Sequence, residues 1–412
     1  MLRELILEKI DYYNPFRPGA GHMPPHLAGR KVEKQEFLRL LKQDVILENF
    51  VLTGLRGVGK TVLLDTFKPM ALEANWFWAG TDLSESVSIS EKATALRLIT
   101  DLSVTTSKIV FETKEVQRFG FSVEKKLIDN TLGFEVLFSI FNLIPGLIAD
   151  KLKGVLEFVW SGIKDHDIKG IIFAYDEAQT MSDHAQKEQF PLSLLLDVFQ
   201  SIQKKSIPFM LVLTGLPTLF PKLVEARTFS ERMFRVVFLD KLDEKDSRDA
   251  IVKPLEDKRS PVTMGDILIK LVIQVSGGYP YFIQFICKEL YDTIILYKPG
   301  DKDFMPINEI TRKLDNDFFA GRWARATDRQ RELLKVIADL PNAEHEFTVQ
   351  DVVVAAKTLD NPFSSSHVNQ MLAALADRGL VYKNRHGRYS FAVPLLGQFI
   401  QRIEKDEQRK LF

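Results

Sequence analysis

Gly54-Leu55-Arg56-Gly57-Val58-Gly59-Lys60-Thr61 fits the pattern G-x-x-x-x-G-K-[ST] at every fixed position. Apolar Phe50-Val51-Leu52 precedes it and Val62-Leu63-Leu64 follows. That is the order strand, glycine-rich loop, helix. Each residue type has a physical task. Glycines let backbone N–H groups turn inward around a polyphosphate. A helix opening at the loop aims its positive dipole end at the same anion. Lys60 is the residue expected to reach the β- and γ-phosphates, and the Thr61 hydroxyl is the expected Mg²⁺ ligand. The bland alternative is a glycine-rich turn with a chance Lys-Thr pair, and the apolar runs on both sides argue against it. The nucleotide-binding stretch is therefore read as Gly54 to Val62.

Downstream, Ile171-Ile172-Phe173-Ala174-Tyr175-Asp176-Glu177 is an apolar run ending in two acids. A buried strand delivers such carboxylates to the carboxyl edge of a sheet, where ligands sit in open α/β folds. Asp176 is expected to hold Mg²⁺, directly or through water. Glu177 is expected to polarise a water for attack on a γ-phosphate. Phe209-Met210-Leu211-Val212-Leu213-Thr214 is a second such run. Thr214 is read as a residue that senses the γ-phosphate or holds the attacking water, against the alternative of a strand-terminal Thr bonding to backbone.

Working outward, short apolar strands alternate with helical spacing. Strands are expected at 50–53, 76–79, 171–175, 209–214 and 236–239, and helices at 32–41, from 61, 90–102 and 189–201. This alternation implies an α/β domain with a mostly parallel sheet flanked by helices. Residues 109–123 read as a hairpin. Residues 125–165 read as helical with a break at Pro145-Gly146, and 243–317 as helical.

Composition sets the outer bounds. The 412 residues suggest two or three domains. Lys plus Arg and Asp plus Glu each total 55, so the net charge is zero and a uniformly basic coat for nucleic acid is excluded. Hydrophobic residues at 45% and charged residues at 27% are those of a globular chain. One cysteine, Cys287, excludes an intrachain disulfide or a cysteine-based zinc cluster. Leu2, Leu5, Ile6 and Ile10 fall on one face of an N-terminal helix that lacks the continuous apolar core of a secretory signal. Val136–Ala149 is too short to span a membrane and reads as a buried or interface segment. A soluble, cytoplasmic protein without membrane contact is expected.

In order and flanking motifs the chain resembles AAA+ ATPases, and within them the group related to replication initiators and to STAND signalling ATPases. Leu27-Ala28-Gly29-Arg30-Lys31-Val32-Glu33 resembles the family's h-h-G-R-x-x-E motif. The resemblance implies that Gly29 and Arg30 lie near the adenine. Gly277-Gly278-Tyr279-Pro280 resembles the GxP motif of STAND lids, which implies that Pro280 lies near the nucleotide. Initiators usually carry a sensor arginine here, and none stands in 277–283, which implies slow hydrolysis or a switch. Arg232, and after it Arg235, occupy the region from which relatives send an arginine to a neighbour's γ-phosphate, so a homo-oligomer or protein partner is implied. Expected cofactors are ATP and Mg²⁺.

The resemblance divides the chain into an N-terminal helix and Pro/Gly-rich stretch (1–26), a P-loop NTPase domain (27–242, with an insertion at about 108–165), a helical lid (243–320) and a last module (321–412). In that module helices are expected at 328–340, 348–356 with Thr348 as N-cap, and 364–378 closed by Gly379. Strands at 380–383 and 388–393 and a helix at 394–403 follow. This resembles a winged helix-turn-helix domain. DNA reading would put 364–378 in the major groove with Ser366, His367, Asn369 and Gln370 outward. Lys383, Arg385, His386 and Arg388 would be a basic wing for phosphates. Residues 322–412 hold fourteen basic and eleven acidic residues, a net of +3, which is modest for DNA. Two outputs stand open: a nucleotide switch coupled to double-stranded DNA, or a signalling or defence-type scaffold whose winged helix binds protein.

Overall fold

The structure, a computed structural model, describes residues 13–19, 21–118, 124–297, 306–385 and 387–410. The expected N-terminal helix, with Leu2, Leu5, Ile6 and Ile10, lies outside the described residues, as do His386 and residues 119–123, the end of the hairpin expected at 109–123. The chain divides into two compact units: residues 31–54 with 63–238, and residues 1–30 with 55–62 and 239–412.

The first unit is a five-stranded sheet in the order β2-β5-β6-β1-β7. The strands are β1 (Asn49–Gly54), β2 (Trp76–Ala79), β5 (Gly170–Tyr175), β6 (Phe209–Gly215) and β7 (Phe234–Leu239). The pairs β1–β6, β5–β6 and β2–β5 are parallel. Every residue of β1, β5 and β6 is buried. The reason is that both faces are covered, which is why these strands read as unbroken apolar runs. One face carries Val51, Ile171, Phe173, Tyr175, Leu211 and Leu213 into a core shared with helices Glu91–Thr106, Ile148–Ile163 and Pro191–Gln203. On the other, Phe50 meets Phe37 and Phe67, which stack at 4.2 Å between centroids. Burying each such ring contributes about 2–3 kcal/mol.

Gly80, just after β2, has φ +122°, and a Cβ there would stand 2.0 Å from the Ala174 carbonyl oxygen of β5. Strand and loop can approach this closely only with no side chain between them. Gly80→Ala is expected to destabilise the protein by about 3 kcal/mol or more. Urea unfolding would show this as a lowered midpoint at unchanged slope. An unchanged midpoint would refute the close packing.

The stretch read as helical from 125 begins instead with a strand. β3 (Val110–Arg118) and β4 (Glu124–Thr131) pair antiparallel, from Val110 opposite Thr131 to Arg118 opposite Glu124. Pairing with a β-rich partner outweighs the helical tendency of this charged segment. The rest is helical, Phe134–Leu143 and Ile148–Ile163, broken at Pro145-Gly146 as expected. Within 136–149, expected as a buried or interface segment, Leu137 and Phe141 are buried, and Leu143 and Leu147 are exposed at the tip. Among the described residues no helix is long and apolar enough to cross a membrane.

The second unit contains helices Glu244–Leu255, Asp266–Ser276, Pro280–Tyr297 and Ile307–Leu314, then a π-helical turn, Asp315–Ala320. Helices Asp328–Ala338, Val349–Ala355, Ser365–Asp377 and Leu396–Lys410 follow. Thr348 accepts from Asp351 N–H, Ser364 accepts from His367 N–H, and Gly379 closes its helix at φ +69°. β9 (Val381–Arg385) and β10 (Arg388–Phe391) form the expected hairpin. The sequence did not reveal β8 (Phe347–Thr348), a two-residue third strand that pairs with β10. The last helix starts later and runs further than 394–403. One hydrophobic core continues from Leu242 through Phe282, Ile286 and Phe319 to Leu372 and Phe399. Phe319 stacks on Phe399 at 5.1 Å, and Arg402 pairs with Asp315.

Candidate functional site

In the sheet unit, β5, β6 and β1 lie side by side, so their carboxyl ends line one edge. Leu52 is opposite Thr214, and Leu213 is opposite Tyr175. Asp176 follows β5 and is 4% exposed, and Thr214 is fully buried. The Thr214 hydroxyl donates to Asp176 Oδ1, which also accepts from the Glu177 N–H at 2.8 Å. Thr214 therefore orients the Asp176 carboxylate; this is a side-chain bond, unlike the backbone bond of the bland reading.

Glu177 has left-handed backbone geometry, φ +53°, and its side chain is exposed. Its Oε2 accepts from Gln179 Nε2, while Gln179 Oε1 accepts from Leu216 N–H at 3.0 Å. Gln179 thus ties the acidic turn to the loop after β6. Lys222 donates to the Gln179 carbonyl at 2.7 Å and to Ser182 Oγ, and burial lowers its pKa. Gln179 and Lys222 escaped the sequence reading because a glutamine two residues past an acid carries no periodic or motif signal.

Asp65 stands on the helix Lys60–Glu73. Its carboxyl is raised above the usual range by desolvation first, then by the charge of Asp176 and, more weakly, of Asp82. This gathering of negative charge suits a cation. Among the described residues no cluster of three or more His, Cys, Asp or Glu could cage a metal alone. Mg²⁺ does not need one, since it keeps waters and takes one or two protein ligands besides phosphates. The oriented carboxylate of Asp176 fits one of those ligand places.

In the other unit, the loop from Leu55 turns through Gly57 at φ +79° and Gly59 at φ +90°. A side chain at either would strain the backbone that exposes the N–H groups. Lys60, nearly buried, donates to the Leu55 carbonyl at 2.9 Å, folding back across the loop. Gly29 and Arg30 both have left-handed backbone. That turn sends the Arg30 guanidinium to the Val58 carbonyl at 3.0 Å and the Asp240 carbonyl at 2.7 Å. Arg30 here braces the loop. The Gly277-Gly278 turn is pinned by Leu242 N–H donating to the Gly278 carbonyl at 2.9 Å. Pro280 opens its helix, and the next residue, Tyr281, donates its N–H to the Gly57 carbonyl at 3.1 Å.

The remaining candidates stand on other elements. Arg232 is exposed on the short helix Ser230–Met233. Arg235 is held by Glu36 at 3.0 Å, which leaves Arg232 the freer of the two. Ser366, His367, Asn369 and Gln370 are exposed on Ser365–Asp377, and Lys383 and Arg388 are exposed on β9 and β10. Arg385 belongs to β9.

A family described only as a domain of unknown function, DUF8462, matches residues 316–400. No curated protein matches the chain. Among solved structures, the Walker-type ATPase PABY2304 of Pyrococcus abyssi is similar over 91% of this chain and 96% of its own, at 16% identity and TM-score 0.57. The ORC2 protein of Aeropyrum pernix in its ADP form is similar over 96% and 99%, at 14% identity and TM-score 0.54. Its ADPNP–ADP complexes match over 96% and 100%, at 13% identity and TM-score 0.53. At these identities the likeness is one of fold, and the fold is that of P-loop ATPases.

Proposed function

We propose that the chain is an ATPase of AAA+ type that uses ATP as a molecular switch. The observation that carries this reading is the complete phosphate-loop motif, with Gly57 and Gly59 in glycine-favoured backbone, following β1 of a sheet in which Thr214 stands near the end of β6 and Asp176 follows β5. The loop amides and Lys60 bind the phosphates, and Thr61 and Asp176 would hold Mg²⁺, which supplies charge neutralisation when bound. Glu177 takes the proton of the attacking water, and Gln179 and Thr214 keep the two carboxylates oriented. Gly29, Arg30 and Pro280 shape the nucleotide's surroundings, and Arg232 is the residue offered to a neighbouring subunit, with Arg235 second.

The last module is read as a winged helix that binds double-stranded DNA, with Ser365–Asp377 as the reading helix and His367, Lys383, Arg385 and Arg388 as contacts. Exposure of His367, Lys383 and Arg388 supports this. The net charge of only +3 over 322–412 favours the second reading, a scaffold whose module binds protein.

One experiment separates them: ATP turnover with and without duplex DNA, with particle size measured on the same samples. DNA reading predicts a mobility shift that falls with salt and weakens about tenfold or more in Lys383→Ala plus Arg388→Ala. ATP-dependent oligomers with no shift at low salt would favour the scaffold. A folded chain that neither binds nor hydrolyses ATP would refute both.

A further inference from the structure

Four arginines gather beside the phosphate loop, all in the unit of residues 1–30, 55–62 and 239–412. Arg56 is the loop's exposed third residue, and its Nη2 lies 3.9 Å from where a Cβ on Gly379 would stand. The preceding residue, Arg378, donates to the Arg325 carbonyl and to Gln330 Oε1. Arg325 N–H donates to the Arg322 carbonyl at 3.1 Å. The Arg322 guanidinium lies over the Phe318 ring at 4.2 Å and donates to the Phe318 carbonyl. Phe318 packs on Tyr281 at 5.1 Å, and Tyr281 N–H returns to Gly57. These contacts close a ring that starts and ends on the loop.

Two nearby acids are engaged elsewhere, Asp328 with Arg331 and Glu332 with Arg329. Asp317 lies near Tyr281, where its charge acts less strongly than that of Arg322. Desolvation lowers the Arg322 pKa first, the charge of Arg56 adds to this, Tyr281 opposes it, and Arg325 adds again. No carboxylate figures among these influences. Placing like charges beside the partly desolvated Arg322 costs free energy that an anion between them would offset. The Arg fork matches the oxygens of a phosphate.

We propose that Arg56 and Arg322 clamp the terminal phosphate of a nucleotide seated in the loop Gly54–Thr61, so that the site tells a triphosphate from a diphosphate. The proposal rests on the ATP-binding reading of that loop. The loop amides surround the inner phosphates, and Lys60 bridges the β- and γ-phosphates as a single charge, so most of the outermost group's charge is left for side chains beyond the loop. It also supplies, from Arg322, the cation that is missing from 277–283. Because Arg322 stacks on the π-helical turn Asp315–Ala320, which leads into the last module, the same contact gives that module a direct link to the nucleotide's charge state.

The test is equilibrium binding of fluorescent ATP and ADP, each with Mg²⁺, to wild type, Arg322→Gln and Arg56→Gln. Each variant is expected to lose about tenfold in ATP affinity and less than threefold in ADP affinity. Arg322→Lys, which keeps charge but not the fork, should fall between. Arg56 is exposed, so Arg56→Gln tests the proposal even if Arg322→Gln disturbs packing on Phe318. Equal losses for both nucleotides, or none, would overturn the proposal while leaving ATP binding intact. So would a loss confined to duplex DNA affinity, which would make the anion a nucleic-acid phosphate. A wild type that binds neither nucleotide would overturn the ATP reading and this proposal together.

Discussion

Lys60→Ala is expected to weaken ATP binding by about 100-fold or more while leaving the fold intact. A lysine meeting two phosphates makes charge-assisted hydrogen bonds in a partly desolvated setting, and losing them costs about 3 kcal/mol. In the free protein the Lys60 ammonium rests on the Leu55 carbonyl, so it is already placed over the loop and spends little ordering entropy on binding. Truncation removes no packing from the cores around Phe37 or Phe282. Calorimetric titration of ATP should show the loss, with an unchanged far-ultraviolet circular dichroism spectrum. An affinity within threefold of wild type would mean that the loop does not hold the triphosphate.

Glu177→Gln is expected to do the opposite: ATP binds within a few-fold of wild type, and hydrolysis falls by about 10²- to 10⁴-fold. Glutamine keeps the size and the hydrogen bond to Gln179 but cannot accept a proton. The side chain is exposed and its backbone turn is set by Asp176, whose carboxylate accepts the Glu177 N–H, so the change is confined to chemistry. Phosphate release under single-turnover conditions is the measurement. Persistent hydrolysis would remove Glu177 from the role of base and shift attention to Asp65, whose raised carboxyl pKa suits proton transfer closer to neutrality.

The parts of the molecule legible in the sequence were those governed by local rules. Buried parallel strands show as apolar runs because both faces are covered, so β1, β5 and β6 were found within one residue. The phosphate loop was found because glycine and lysine are required at fixed positions. Caps at Thr348 and Gly379 were legible because each satisfies or ends the helix beside it.

What escaped depends on distant partners. β4 was hidden because Lys125-Lys126-Leu127-Ile128 takes strand form through its partner β3. Two-residue β8 is too short for any pattern and exists because β10 pairs with it. The same holds in the site. Arg30 bracing Val58 spans 28 residues, and Gln179 bonding Leu216 spans 37. Neither spacing has a periodic signature. The ring through Arg56, Arg322 and Arg378 joins three separate stretches that only folding assembles.

Calorimetric titration of wild-type protein with ATP in the presence of Mg²⁺ tests the account most directly. It predicts one ATP per chain, bound only weakly when the metal is chelated, and no measurable heat for Lys60→Ala under the same conditions. A wild type that is folded by circular dichroism yet takes up no ATP at millimolar concentration would contradict it.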